Sequence, residues 1–150
     1  MRIFCPAISS DLSANSLAPS TGWTVVAPPG VRGEELEVLE DDAQTEAALA
    51  SLEMLRDTPG NALRRIVLAV DVTKADVPEG EGVVEVAPGA LGWADVVAVL
   101  VDGEEAEVLV KAVVEATEQD EADDAVAALW EEALEWYDVE EIKDLAIALL

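Results

Sequence analysis

Apolar positions change their spacing along this chain, and the changes divide it into elements. Ile3 to Ala7 is a short apolar run that predicts a first strand, ended by Pro6 and a serine-rich stretch with a short helix around Leu12 and Leu17. Trp23 to Ala27 predicts a second strand, stopped by Pro28-Pro29-Gly30, which cannot continue a ladder. From Glu34 to about Arg56, Leu36, Leu39, Ala43, Ala47, Ala50 and Met54 recur at a spacing near 3.6 and predict a helix. Glu34, Glu35 and Glu37 suit the positive end of its dipole, and Pro59-Gly60 closes it.

Arg65 to Val72 is β-branched and nearly continuously apolar, which predicts a central strand buried on both faces. Val83 to Ala87 and Asp95 to Val101 predict two more, separated by glycines and Pro88. Asp102 with Glu105 reads as a helix cap, followed by apolar positions to about Ala116. Another helix begins near Asp120, with Val126, Leu129, Trp130 and Ala133 on one face; its end, before or after Trp136-Tyr137, is left open by the pattern. Asp138 with Glu141 repeats the capping signature ahead of a last helix carrying Ile142, Leu145 and Leu149.

This order predicts a single α+β domain over residues 1–150, a mixed β-sheet of about five strands with helices packed on it. A doubly wound α/β sheet is the alternative: the early strand-helix alternation favours it, and the consecutive strands from Arg65 to Val101 count against it.

Charge changes the picture next. The chain has 33 acidic and 8 basic residues, a formal net charge of −25. Residues 1–33 hold only Asp11 among the acids, whereas residues 102–150 hold 17, so charge follows the predicted helices and marks their solvated faces. Such a field repels phosphate and anionic lipid and attracts basic surfaces, so nucleic acid and membrane are poor partners; the simpler reading of the charge is solubility, and the alternative is a specific basic protein partner. The single cysteine, the absence of a long apolar N-terminal stretch and the absence of a run of about 18 apolar residues point to a cytoplasmic protein.

Candidate chemistry narrows quickly. With no histidine, the usual serine and cysteine hydrolase triads and imidazole metal sites are excluded; with Cys5 alone, zinc and iron-sulfur centres lack ligands, and no cofactor is expected. Cys5 is not followed within several residues by an Arg or Lys that could form an anion-binding loop, and it reads as a buried structural thiol. Gly80-Glu81-Gly82 precedes a strand rather than a helix and reads as a turn. The acids at 40–42 and 118–124 lack calcium-loop spacing. Two carboxylates could still do acid and base work or hold a ligand, and Asp71 and Asp102, at strand ends, are best placed for it. Trp136-Tyr137 could floor such a pocket or make a protein contact; core packing is the simpler expectation for this pair and for Trp23, Trp93 and Trp130. Arg64-Arg65 is expected to neutralise nearby acids.

Met1-Arg2-Ile3 leading to Pro6-Ala7, Ser51-Leu52 within the long helix, Arg64-Arg65-Ile66-Val67 leading to Ala69-Val70-Asp71-Val72, Val99-Leu100-Val101-Asp102, and Trp136-Tyr137 before Glu141-Ile142 together resemble one family. It is an uncharacterised actinobacterial family of short acidic α/β proteins, a domain of unknown function, and the resemblance implies no activity.

Two functions from different classes follow as expectations. The first is a non-enzymatic acidic interaction or adaptor protein that binds a basic protein. The second is a small ligand- or cation-binding domain or enzyme using carboxylates, in which Asp71, Asp102, Trp136 and Tyr137 would have to converge. Oligomeric state stays open, since like charge opposes self-association while four tryptophans offer a contact surface.

Overall fold

The computed structural model describes residues 1–73 and 78–150. Six strands are formed, β1 (Arg2–Ala7), β2 (Gly22–Val26), β3 (Ile66–Asp71), β4 (Gly82–Val86), β5 (Val96–Asp102) and β6 (Leu134–Asp138). The helices are α1 (Glu34–Asp57), α2 (Glu107–Glu115), α3 (Gln119–Leu129) and α4 (Ile142–Ala148), with a 3₁₀ turn at Ser9–Ser13. The strands make one sheet in the order β4-β2-β1-β3-β5-β6, and every neighbouring pair is antiparallel. The class is α+β, with one strand more than the sequence pattern suggested and, among the described residues, no parallel pairing, which sets aside the doubly wound alternative.

The early strand-helix alternation has a physical counterpart all the same. Both β2 and β3 run antiparallel to β1, so they are parallel to each other with β1 between them, and α1 is the crossover that carries the chain from one to the other.

Alternation along the three central strands builds two cores. Ile3, Cys5, Ile66, Leu68, Val70, Val99 and Val101 lie on one face beneath Leu12, Leu17, Leu91 and the α4 residues Ile142 and Leu145. Phe4, Val67, Ala69, Ala98 and Leu100 lie on the other, where Ala43, Ala47 and Ala48 of α1 cover them. Alanines on both sides of that second interface let the helix sit close to the sheet. A bulge moves the pairing from Ala69 with Ala98 to Val70 with Val96, which keeps Val96 and Val99 on the same face. A third cluster, Ile8, Leu52, Leu55, Val110, Val113 and Leu129, joins the second half of α1 to α2 and α3.

Two departures from the pattern have local causes. β1 continues through Pro6, opposite Val67, rather than ending there. Met1 exchanges main-chain hydrogen bonds with Val72, so Ile3, Cys5 and Ala7 turn their main-chain groups toward β3 and Pro6 turns toward β2. Because β2 pairs with β1 only at Ile3 and Phe4, the N–H that proline lacks has no ladder to serve. At the other end of the chain, residues 134–138 are a strand and not part of a helix. Leu134, Trp136 and Tyr137 have side chains that fit a pleated surface, and β5 supplies the partner.

Candidate functional site

Asp102 ends β5, is fully buried, and faces Arg65, the residue just before β3, because the register sets Ile66 against Val101 one residue further in. The carboxylate accepts from Arg65 Nε at 2.8 Å, from Nη2 at 2.7 Å and from the main-chain N–H at 2.9 Å, while Asp102 donates its own N–H to Arg65 O at 3.1 Å. Arg65 Nη2 also donates to Glu132 O at 3.0 Å, tying the turn before β6 to the strand ends. A bidentate, charge-assisted pair of this kind satisfies both ions, the carboxylate fully buried and the guanidinium nearly so at the edge of a cleft. The capping role expected of Asp102 is therefore replaced: Gly103 precedes the 3₁₀ turn Glu104–Ala106, and no side chain caps it, since the carboxylate is held by Arg65. The expectation that Arg64-Arg65 neutralises acids holds, Arg64 Nε lying 3.5 Å from Glu107.

Asp71 sits at the opposite end of the sheet. It is exposed and accepts from Arg2 Nε at 2.6 Å and Nη2 at 3.2 Å, and that hydrogen-bonded guanidinium lowers its pKa below the usual carboxylate value. Asp102 is level with Arg65, so six residue steps along β3, roughly 20 Å, separate it from Asp71. Trp136 and Tyr137 lie on β6 opposite Leu100 and Val99 and, as neighbours on a strand, face opposite sides of the sheet. Tyr137 packs against the α4 side, where its hydroxyl donates to Glu135 Oε2 at 2.9 Å; that bond raises the phenol pKa. Asp71, Asp102, Trp136 and Tyr137 thus do not share a pocket.

The structure instead opens a cleft of about 640 Å³ between α1, the end of α3 and the start of β6, bordered by Asp41, Thr45, Arg65, Trp130, Glu132 and Leu134. Trp130 follows the last residue of α3 and is 72% exposed, and Trp136, on the same face of β6 as Leu134, is 57% exposed. Core packing, expected for all four tryptophans, holds only for the half-buried Trp23 and Trp93. The α3 periodicity had placed Trp130 on the buried face; the helix stops at Leu129, and the turn carries the indole outward. A second, more apolar trough of about 600 Å³ runs between the Ser9–Ser13 turn and α4, past Trp93 and Ile147.

Cys5 is buried, and loss of solvent pushes its thiol up to about 12, as befits a structural residue. Gly80 and Gly82 both have positive φ at the turn into β4, so that segment is a turn. Among the described residues no three acidic or cysteine side chains converge to hold a metal ion.

A family model described as a family of unknown function, DUF6912, matches residues 1–146. The chain belongs to the DUF6912 family. The DUF6912 match takes in all six strands, the Arg65–Asp102 pair and both exposed tryptophans. No curated protein and no solved structure matches this DUF6912 chain. Among its described residues, no helix is long and apolar enough to cross a membrane.

Proposed function

We propose that this DUF6912 protein is a non-enzymatic acidic interaction protein that binds a basic protein partner in the cytoplasm. The observation that carries the reading is the exposure of Trp130 and Trp136 at one corner of the fold, beside Asp41, Glu131 and Glu132, with Glu135 on the opposite face of β6. Exposed indoles are frequent anchors of protein interfaces, and their faces attract the cationic side chains that the surrounding carboxylates would also draw. Arg2, Arg64, Arg65 and Lys111 are each paired with a carboxylate, so half of the chain's eight basic residues are already engaged with its own acids. Asp71 and Asp102, the acids best placed for catalysis in the sequence, are both engaged by arginines, which weighs against an enzyme built on them. The cleft volume supports a second reading, a small-ligand site, because it lies within the usual range for such sites, about 300–1,000 Å³.

Calorimetric titration with a lysine- and arginine-rich peptide tests the first reading. Binding is expected to weaken as salt rises from about 0.1 M to about 1 M and the screening length falls from about 10 Å to about 3 Å. Neutralising Glu131, Glu132 and Glu135 to glutamine should weaken it more than neutralising Asp120, Glu121 and Asp124 on α3, although the charge change is the same. Equal losses from the two variants would mean diffuse attraction and no interaction surface.

A further inference from the structure

The position of one hydrogen bond settles which main-chain groups of β6 are free. Asp102 points its N–H at Arg65 O, toward β3. Main-chain groups alternate in direction along a strand, so Leu100 also faces β3, while Val99 and Val101 face β6. Their partners are Tyr137 and Glu135, which therefore complete the β5–β6 ladder. Leu134, Trp136 and Asp138 turn their main-chain groups the other way, to the outer side of the last strand of the sheet. The Asp138 N–H, on that outer side, is taken at 2.9 Å by the Glu141 carboxylate, which agrees with this assignment. Among the described residues, the N–H groups of Leu134 and Trp136 have no partner outside the ladder.

The geometry points to strand addition at this edge: an extended, basic segment of the partner pairs with Leu134 and Trp136 on the open side of β6. This rests on the basic-partner reading and supplies its mode of docking. Pairing supplies the affinity through main-chain hydrogen bonds, and alternate side chains set the choice of partner. On one face of the extended sheet the incoming side chains meet the exposed Trp136 indole, which favours a cation or an apolar group. On the other they meet Glu135, whose carboxylate is held in place by Tyr137. Asp138 and Glu140 continue the negative charge beyond the strand end.

The same charges decide against a second copy of this chain as occupant. Two β6 strands laid edge to edge would bring Glu135 and Asp138 of each copy close to those of the other, and like charges facing across a strand pair oppose pairing. A lysine- or arginine-bearing strand turns that repulsion into attraction, so the edge is closed to itself and open to a basic segment.

Amide hydrogen exchange read by NMR tests this on the full chain, with a peptide of alternating lysine and valine about as long as β6 as the probe. Without the peptide, Glu135 and Tyr137 should exchange slowly and Leu134 and Trp136 fast. The peptide should slow exchange at Leu134 and Trp136, whereas a copy N-methylated on alternate residues, with its charge intact, should not. Glu135→Lys should weaken binding several-fold while leaving the exchange of the free protein unchanged. Should the peptide bind with Leu134 and Trp136 exchange unaltered, strand addition is overturned and the basic-partner reading stands. A failure of both peptides to bind at low salt would overturn the two together.

Discussion

Arg65 and Asp102 clasp each other at the ends of adjacent strands through four hydrogen bonds, two of them between side chains, and the arginine reaches on to the carbonyl of Glu132. The pair fastens the ends of β3 and β5 to the approach to β6, which borders the cleft. Removing one partner strands the other as a buried ion, so Asp102→Ala is expected to cost about 3–5 kcal/mol of stability. Replacing both with apolar residues, Arg65→Met with Asp102→Leu, leaves no ion behind and should cost less than the single change. Urea denaturation of the three proteins checks this; a loss below about 1 kcal/mol for Asp102→Ala, the size of an exposed pair, would mean the pair is not buried as described.

Ser51 does a comparable job with a neutral group. Its buried hydroxyl donates to Ala7 O at 2.8 Å and accepts from Ile66 N–H at 3.1 Å, fastening α1 to the last residue pair of the β1–β3 ladder. Ser51→Ala removes both bonds from these buried main-chain groups and should lower stability by about 0.5–1.5 kcal/mol. Thermal unfolding of the variant measures this, and a neutral effect would contradict the bridging role.

The Arg2–Asp71 pair lies on the surface, with both side chains well exposed, and should contribute no more than about 1 kcal/mol at neutral pH. Because the folded pKa of Asp71 is lowered, its contribution is present above the usual carboxylate value of about 3.9 and is lost as pH falls through the lowered one. The stability difference between the native chain and Asp71→Asn should therefore be constant through neutral pH and shrink only in acid. A difference that grew on acidification would reverse the sign of the linkage.

Cys5 carries the opposite shift, upward to about 12 through burial. The folded protein keeps the thiol neutral, while the unfolded chain ionises it near the usual value of about 8.5, so this group favours unfolding progressively as pH rises between the two. Iodoacetamide should accordingly label Cys5 at mildly alkaline pH only as fast as the chain opens, with the rate rising in step with denaturant. Rapid labelling of the fully folded protein would contradict its burial.

Local patterns in the sequence were enough for most of the fold, and long-range pairings were not. The Asp138–Glu141 capping box needs only residues three apart, and it forms as expected, the Glu141 carboxylate accepting the Asp138 N–H. Asp102 with Glu105 has the same local form, yet a guanidinium 37 residues earlier in the chain takes the carboxylate. Nothing in the spacing announces that competition. β6 was obscured for a related reason: five residues between two helical patterns show little periodicity, and only the exposed edge of β5 makes them a strand. The α1 stripe was legible in its first half through Ala43 and Ala47, whereas its second half turns Leu52 and Leu55 toward α2 and α3, a surface that exists only once those helices dock. The same holds for the cleft, since its walls come from three separated parts of the chain.

The most direct measurement of the proposed interface is the set of four tryptophan indole N–H signals in an NMR titration with the lysine- and arginine-rich peptide. Trp93 donates its indole N–H to Ala14 O at 2.7 Å, Trp23 is half-buried against the α1 side, and both serve as internal references. The account predicts that the Trp130 and Trp136 signals move together with peptide concentration while those of Trp93 and Trp23 stay in place. Movement of Trp23 or Trp93 with Trp130 and Trp136 fixed would place the contact elsewhere and contradict the account.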